Sequence, residues 1–391
     1  MHILVIPSWY STPRNPIRGS FFREQALALH KAGHRVGLLV PPSRLRTLNG
    51  LSEVARYWRR PASALDITND SGLATYRLPW WGWQGSALPS WRGKLMLTAF
   101  DRYCREQGRP DVIHAHSILY AGYTAVAIKQ ARGVPVVLTE HAFNYLSPLW
   151  IMPDQRPRIR RTLAHSDAVL AVSAALGRAL ESYAPGVRVN VIYNIVDTTM
   201  FRPPDQEPPR QPFTFAIVAR LLRNKGHAEL LRAFAAAFRG QPARLLVGGD
   251  GPQRRRLERL SARLAIAGQV EFLGALSRQR VRETLWRSHA VISASRFETF
   301  GLTLAEAMAC GRPVIATRSG GPESFVTPET GLLVPVNDVD ALAQAVRQMA
   351  ANYDSYSPAH IRAYCVERFS EAAVVSQLEA IYADAVRRSQ P

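Results

Sequence analysis

Short apolar runs alternate with longer amphipathic stretches from one end of the chain to the other. Residues 2–7, 35–40, 112–115, 134–139, 168–172 and 188–192 read as strands, and 20–32, 120–132 and 174–182 fit helices between most of them. Runs such as Val134-Pro-Val-Val-Leu-Thr139 and Ala168-Val-Leu-Ala-Val172 are apolar on both faces, the pattern of strands inside a parallel sheet. The alternation breaks at 202–212, where five of eleven residues are proline, a composition that reads as a linker. It then restarts, with strands at 213–219, 244–247, 270–273, 290–293, 313–316 and 332–335. Helices are expected at 228–238, 253–266, 278–287, 302–310 and 339–351, followed by a last helix at 371–388. The predicted class is α/β: two similar domains in tandem, each built on a parallel, doubly wound sheet. Their expected bounds are 1–193 and 213–370, with a hinge and linker at 194–212 and a final segment, 371–391, that could return to the first domain.

Residues 78–94 do not fit the alternation. They hold Trp80, Trp81, Trp83 and Trp91 among glycine, serine and arginine, without helical spacing. Such a loop suits a membrane interface or a sugar-stacking surface, or packs on its own domain by its indoles. Charge adds to this picture. The chain has 49 basic and 30 acidic residues, and only four of the basic ones are lysine. Residues 1–190 carry 24 basic and 11 acidic side chains, so most of the excess lies in the first half. A basic face attracts phosphate-rich partners, although an arginine-rich solvated surface is the plain alternative. Cys104, Cys310 and Cys365 are dispersed and odd in number, which excludes a disulfide framework and fits a reducing cytosol. No signal peptide or membrane span is read.

Three strand-to-helix turns carry candidate chemistry. Gly248-Gly-Asp-Gly-Pro252 opens a helix, where amides can face an anion. Gly249 and Gly251 supply two glycines of a dinucleotide fingerprint, but Arg254 stands in the third place and no P-loop lysine is present. Arg220-Leu-Leu-Arg-Asn-Lys-Gly226 follows the first strand of the second half. There Arg220 offers a fork and Lys225 a point charge, a pair suited to a pyrophosphate; a solvated basic turn is the alternative. The third turn holds Glu298 and Glu306, with Gly301 opening a helix whose first amides, at Gly301, Leu302 and Thr303, favour a phosphate. One carboxylate in the loop and one inside the helix can read hydroxyls on either side of a bound diphosphate. Capping or a surface carboxylate would explain either glutamate alone. His114 and His116 are read as pointing to opposite faces of a strand, with His116 the one that faces a cleft. His141 is a second candidate, and His289 reads as structural.

In this order the motifs resemble those of the retaining glycosyltransferases of family 4. The resemblance spans essentially the whole chain. Its landmarks are the loop from Pro16 to Gln25, which includes Gly19 and Arg23, Asp111-Val-Ile-His-Ala-His116, Leu138-Thr-Glu-His141 and Val191-Ile-Tyr-Asn-Ile-Val-Asp197. They continue through Arg220, Gly248–Gly251, the two glutamates, Ser319-Gly-Gly-Pro-Glu323 and Gly331-Leu-Leu-Val-Pro335. It implies the GT-B fold, two Rossmann-like domains facing across a cleft, the first for the acceptor and the second for a nucleotide-sugar. By the same resemblance, Arg220 and Lys225 hold the donor diphosphate with the amides of Gly301, Leu302 and Thr303. Glu306 takes the ribose, Glu298 the donor sugar, and Phe272 and Leu273 the base. His116 reaches the transferred sugar, and Gly249 and Gly19 let backbone approach the donor. His141, Arg23, Trp80, Trp81 and Trp83 are the acceptor or membrane candidates. The implied partners are a nucleotide-diphosphate sugar, a polyprenyl-diphosphate-linked glycan and an anionic membrane surface, with no nucleic acid, no cofactor and no metal. The implied setting is exopolysaccharide or surface-glycan synthesis at the cytoplasmic face of the plasma membrane. Ile195 departs from the family's usual glycine, so the turn there must take another shape. Two other readings are an epimerase or non-catalytic sugar-nucleotide binder of the same fold and, more remotely, a nucleic-acid-binding protein.

Overall fold

Strands apolar on both faces need cover on both sides, and each half of the chain supplies it with helices around a mainly parallel sheet. The computed structural model describes residues 1–10, 19–41, 65–78, 90–147 and 150–390. The first sheet contains β1 (His2–Pro7), β2 (Arg35–Val40), β3 (Asp66–Asp70), β4 (Leu73–Arg77), β5 (Val112–His116), β6 (Val136–Glu140), β7 (Ala168–Ala171) and β8 (Val189–Val191). Its order is β3-β4-β2-β1-β5-β6-β7-β8, and among the described residues only β3 and β4 pair antiparallel. That hairpin escapes the apolar pattern because β3 is polar and largely exposed. Its turn is set instead by Ser71 and Gly72, both at positive φ, the geometry a tight hairpin needs.

The second sheet contains β9 (Phe213–Val218), β10 (Ala243–Gly248), β11 (Val270–Gly274), β12 (Ala290–Ser293), β13 (Val314–Thr317) and β14 (Gly331–Val334). All its pairs are parallel, in the order β11-β10-β9-β12-β13-β14. The strand order therefore reverses between β9 and β12, and in the first sheet it reverses between β1 and β5. Such switch points open a crevice at the carboxyl ends of the strands, where ligands of open α/β sheets bind. On one side of the second sheet Phe215, Phe234 and Phe238 form a core with the helices His227–Phe238 and Val339–Ala351.

The chain divides into two compact units, one of Met1–Val172, Leu176–Ile192 and Val374–Pro391, the other of Ser173–Ala175 and Tyr193–Ala373. The proline-rich run at 202–212 thus lies within the second unit rather than between the two. Fully buried Arg312 ion-pairs with Glu207, and the Trp286 indole donates to the Arg202 carbonyl at 2.6 Å. A segment poor in backbone donors can be held this way by side chains instead of a ladder. A second correction concerns 78–94: the helix Ser90–Gln107 begins inside it, so Trp91 is helical, while Trp80, Trp81 and Trp83 lie outside the described residues. At Ile195 the backbone is not among the positive-φ residues, and the side chain is buried, so the turn is built without the conformation that favours glycine.

Candidate active site

In the second unit the switch point gathers the two loops that follow β9 and β12. The link between them is largely backbone. The Arg296 N–H donates to the Asn224 carbonyl at 2.8 Å, and Gly226, at φ 69, packs directly on the Ala294 carbonyl. A Cβ at Gly226 would overlap that oxygen. Gly226→Ala is therefore expected to lower Tm by about 5 °C or more, from a loss of roughly 2 kcal/mol. Gly186→Ala, at φ 92 in open space, should cost only about 1 kcal/mol. Equal melting temperatures for the two variants in calorimetry would contradict this.

The result of that packing is a contact between residues far apart in sequence: the Lys225 ammonium meets Glu298 Oε2 at 2.6 Å, both about four-fifths buried. Glu298 is itself clamped through its backbone. Its N–H donates to the Ser319 carbonyl and its carbonyl accepts from the Gly321 N–H at 2.7 Å, so the Ser319–Glu323 motif acts as its support. The Gly320 N–H is in turn held by the Glu323 carboxylate at 2.9 Å. Gly301, at φ 99, caps the helix Leu302–Ala309. The first bond within that helix runs from the Leu304 N–H to the Gly301 carbonyl, leaving the amides of Leu302 and Thr303 ahead of it.

Glu306 lies in the same helix and is 7% exposed. Burial pushes its carboxyl up to about 7, Arg278 opposes that rise and Asp197 adds to it. Arg278 stands 3.8 Å from Glu306 Oε1, too far for a tight pair. Arg220 is exposed, with its backbone against Gly249, whose φ of 125 and contact with the Ala219 carbonyl leave no room for a side chain. Phe272 and Leu273 are half-buried near the end of β11. Two residues here escaped the sequence reading. Arg254 lies over the Phe272 ring at 5.9 Å and donates to the Phe272 carbonyl at 3.3 Å, while Arg278 faces Glu306. Neither carries a local signal, because each is defined by an element distant in sequence, β11 for Arg254 and the helix Leu302–Ala309 for Arg278. The Asp338-Val-Asp340 triplet has the spacing of a metal-binding Asp-x-Asp. Here the Asp338 side chain is a helix cap that accepts from the Ala341 N–H at 2.8 Å.

In the first unit the switch point between β1 and β5 holds Gly19 and the histidines. Gly19, at φ 75, caps the helix Ser20–Lys31 and packs against the Trp9 carbonyl, so its glycine is required by the turn itself. His114 and His116 do not point to opposite faces. Residues two apart on a strand share a face, and their rings lie 4.2 Å apart. His114 is tied on both nitrogens, to the Tyr382 hydroxyl at 2.6 Å and to Thr139 Oγ1 at 2.7 Å. His116 Nδ1 meets His141 Nε2 at 3.1 Å, and its own Nε2 is buried with no hydrogen-bond partner among the described residues. Burial, and then the neighbouring His114 and His141, hold His116 well below the ordinary imidazole range, so it is neutral near pH 7. Arg23 is committed elsewhere. Its guanidinium pairs with Asp70 at 2.6 Å and donates to Ser71, joining its helix to the β3–β4 hairpin. His289 accepts from the Thr214 N–H at 2.9 Å and stacks on Phe213, a structural role.

The sequence profile of Glycosyltransferase Family 4 matches residues 19–200, and that of glycosyl transferases group 1 matches residues 201–365. The chain is 31% identical over 290 residues to N-acetyl-alpha-D-glucosaminyl L-malate synthase of Bacillus anthracis, covering 71% of this chain and 75% of that protein. It is 31% identical over 308 residues to alpha-maltose-1-phosphate synthase of Mycolicibacterium smegmatis, covering 69% and 78%. Two solved structures share its fold. Sucrose-phosphate synthase of Thermosynechococcus elongatus superimposes with a TM-score of 0.75 at 22% identity, covering 99% of this chain and 100% of that one. HepE of Anabaena, in complex with UDP and glucose, does so with a TM-score of 0.71 at 17% identity, covering 98% and 100%.

Proposed function

The chain belongs to glycosyltransferase family 4, with the GT-B fold, and we propose that it is a retaining hexosyltransferase working from a nucleotide-diphosphate sugar onto a lipid-linked saccharide. The observation that carries this reading is the Lys225–Glu298 pair at the switch point of the second sheet, beside a helix that opens at Gly301. Cleaving a sugar–phosphate bond leaves the electron pair on a phosphate oxygen. Lys225, Arg220 and the amides of Leu302 and Thr303 supply the compensating charge, so the proposal includes no metal and no other cofactor. Glu298 takes hydroxyls of the donor sugar and Glu306 those of the ribose. The acceptor oxygen bonds to the anomeric carbon on the face the phosphate leaves, and its proton passes to the departing phosphate oxygen. HepE, solved with UDP and glucose, lends support to a nucleotide-sugar donor.

The acceptor reading draws on the first unit. Its described surface exposes Tyr120, Phe143, Trp150 and Met152, and the following helix Arg156–His165 exposes Arg156, Arg160 and Arg161. Apolar rings beside arginines suit an anionic lipid surface. No helix among the described residues is long and apolar enough to cross a membrane, so the proposed attachment is peripheral, at the cytoplasmic face during exopolysaccharide or surface-glycan assembly.

The test begins with melting temperature in UDP-, GDP- and ADP-sugars. One donor at a hundred times its Kd should add about 2.7 kcal/mol. Transfer is then measured from that donor to a polyprenyl-diphosphate sugar in anionic vesicles and to soluble hydroxyl acceptors. Transfer confined to soluble acceptors overturns the lipid part. Donor epimerisation without transfer, or no stabilising donor at all, overturns the whole reading.

A further inference from the structure

The backbone directly after His116 is strained. Ser117 adopts φ 75 and ψ 138, a conformation that residues with a Cβ rarely hold. Residues Ile118–Gly122 then form a single π-helical turn, a rare element that is frequent at functional sites. Strain of this kind persists only where neighbouring bonds over-determine it. The Ser117 N–H donates to the Thr139 carbonyl at 2.8 Å, and the Gly122 N–H to the Ser117 carbonyl at 2.9 Å. Side chains add two further restraints: Ser8 Oγ accepts from the Ala121 N–H at 3.1 Å and donates to the His116 carbonyl at 2.8 Å, and the second is a carboxylate. Glu140 Oε2 accepts from the Ile118 N–H at 2.7 Å.

The other oxygen of that carboxylate is also occupied. Glu140 Oε1 accepts from the N–H groups of His141 at 2.7 Å and Ala142 at 2.8 Å. Glu140 is 0% exposed. Burial pushes its carboxyl above the usual range, and the three peptide N–H groups oppose that shift. One carboxylate thus joins the turn directly after His116, the last residue of β5, to the loop after β6 that carries His141, and His116 Nδ1 meets His141 Nε2 at 3.1 Å. That contact has a chemical consequence. A neutral imidazole carries one proton, so whether His116 Nδ1 donates to His141 or accepts from it decides whether the partnerless Nε2 of His116 is an acceptor or a donor.

We propose that Glu140 is a positioning residue for sugar transfer: by holding the turn at Ser117 and the loop at His141 with one carboxylate, it fixes the His116–His141 pair and hence the hydrogen-bonding sense of His116 Nε2. The inference rests on the reading of His116 as a group that meets the transferred sugar. In Glu140→Gln one oxygen becomes an NH2 group, which cannot accept from the N–H groups on its side. Misplacing the pair by about an ångström should lower kcat about 100-fold. The donor KM, set in the second unit, should stay within about twofold, the pattern of an interaction used only in the transition state.

The readout that separates positioning from mere stability is the 15N spectrum of the imidazoles. Native protein should show one tautomer for His116, and Glu140→Gln an exchanging mixture. Val169→Ala, a core truncation on β7, is the control. It should lower Tm without moving kcat or the imidazole signals. Native kcat in Glu140→Gln, or a loss of kcat with unchanged imidazole signals, overturns the proposal. Should Glu140→Gln fail to fold, amide exchange in the native protein decides. Protection of Ile118, His141 and Ala142 at pH 8 comparable to the core of β5 supports the clamp, and unprotected exchange overturns it. His116→Ala with native kcat overturns the reading of His116 and the proposal together. Inactive His116→Ala beside fully active Glu140→Gln overturns the proposal alone.

Discussion

Lys225→Ala and Glu298→Gln should each lower kcat by about 10²–10³-fold, and the double variant should be no worse than the poorer single one. The reason is the 2.6 Å contact between their charges at the switch point of the second sheet. Removing the lysine leaves a largely buried carboxylate without its cation, and that carboxylate would then repel the diphosphate it is proposed to flank. Neutralising the glutamate frees the ammonium from the position in which it is proposed to meet developing phosphate charge. Each change therefore disables the unit, and residues in contact do not contribute independently. Steady-state and single-turnover rates for the two singles and the double make the test. Losses that multiply would mean the residues act at separate places, and the assignment of one donor site would fail.

At pH 8, Glu306→Gln should melt several degrees above the native protein, and the gap should close as the pH falls toward 5. The folded carboxyl sits at about 7 against an ordinary 4.5, chiefly because it is buried. Between those values the folded chain keeps a proton that the unfolded chain has lost. Native stability therefore falls as pH rises through this window, and the full penalty stands above it, on the order of 3 kcal/mol. Glutamine carries no charge to bury and escapes the penalty. The same variant should lose donor affinity, since an amide offers one acceptor oxygen to a diol where a carboxylate offers two. Calorimetry from pH 5 to 8.5, with and without donor, reads both effects. A gap independent of pH would show that Glu306 is not the group responsible. The combination of higher melting temperature and lost binding marks a residue kept for its ligand rather than for the fold.

Much of this was legible in the residues. Strands that are apolar on both faces, such as β6 and β7, announce a buried parallel sheet because every second position of a half-exposed strand would have to be polar. Gly301 ahead of an alanine-rich run marks a helix start, and the order of the motifs led to the family. The β3–β4 hairpin was not legible, because a polar edge strand has no apolar signature. The proline-rich run reads as a linker from composition alone. Composition reports that 202–212 cannot form a ladder, and it says nothing of the buried Arg312 that holds Glu207. The histidines of β5 are a different matter. Their shared face follows from a spacing of two, so that relation was present in the sequence and was misread.

Local order, then, belonged largely to the chain as written: outside the β3–β4 hairpin and the helix Ser90–Gln107, most of the segments that extend or coil follow from the sterics and periodic burial of neighbouring residues. The chemistry did not. Lys225 and Glu298 stand 73 positions apart, and they touch because β9 and β12 are neighbours where the strand order reverses. Glu140 is a clamp only because peptide N–H groups from two loops converge on it. Such contacts depend on strand order and on backbone groups that every residue type shares, so only the assembled sheets could bring them to light.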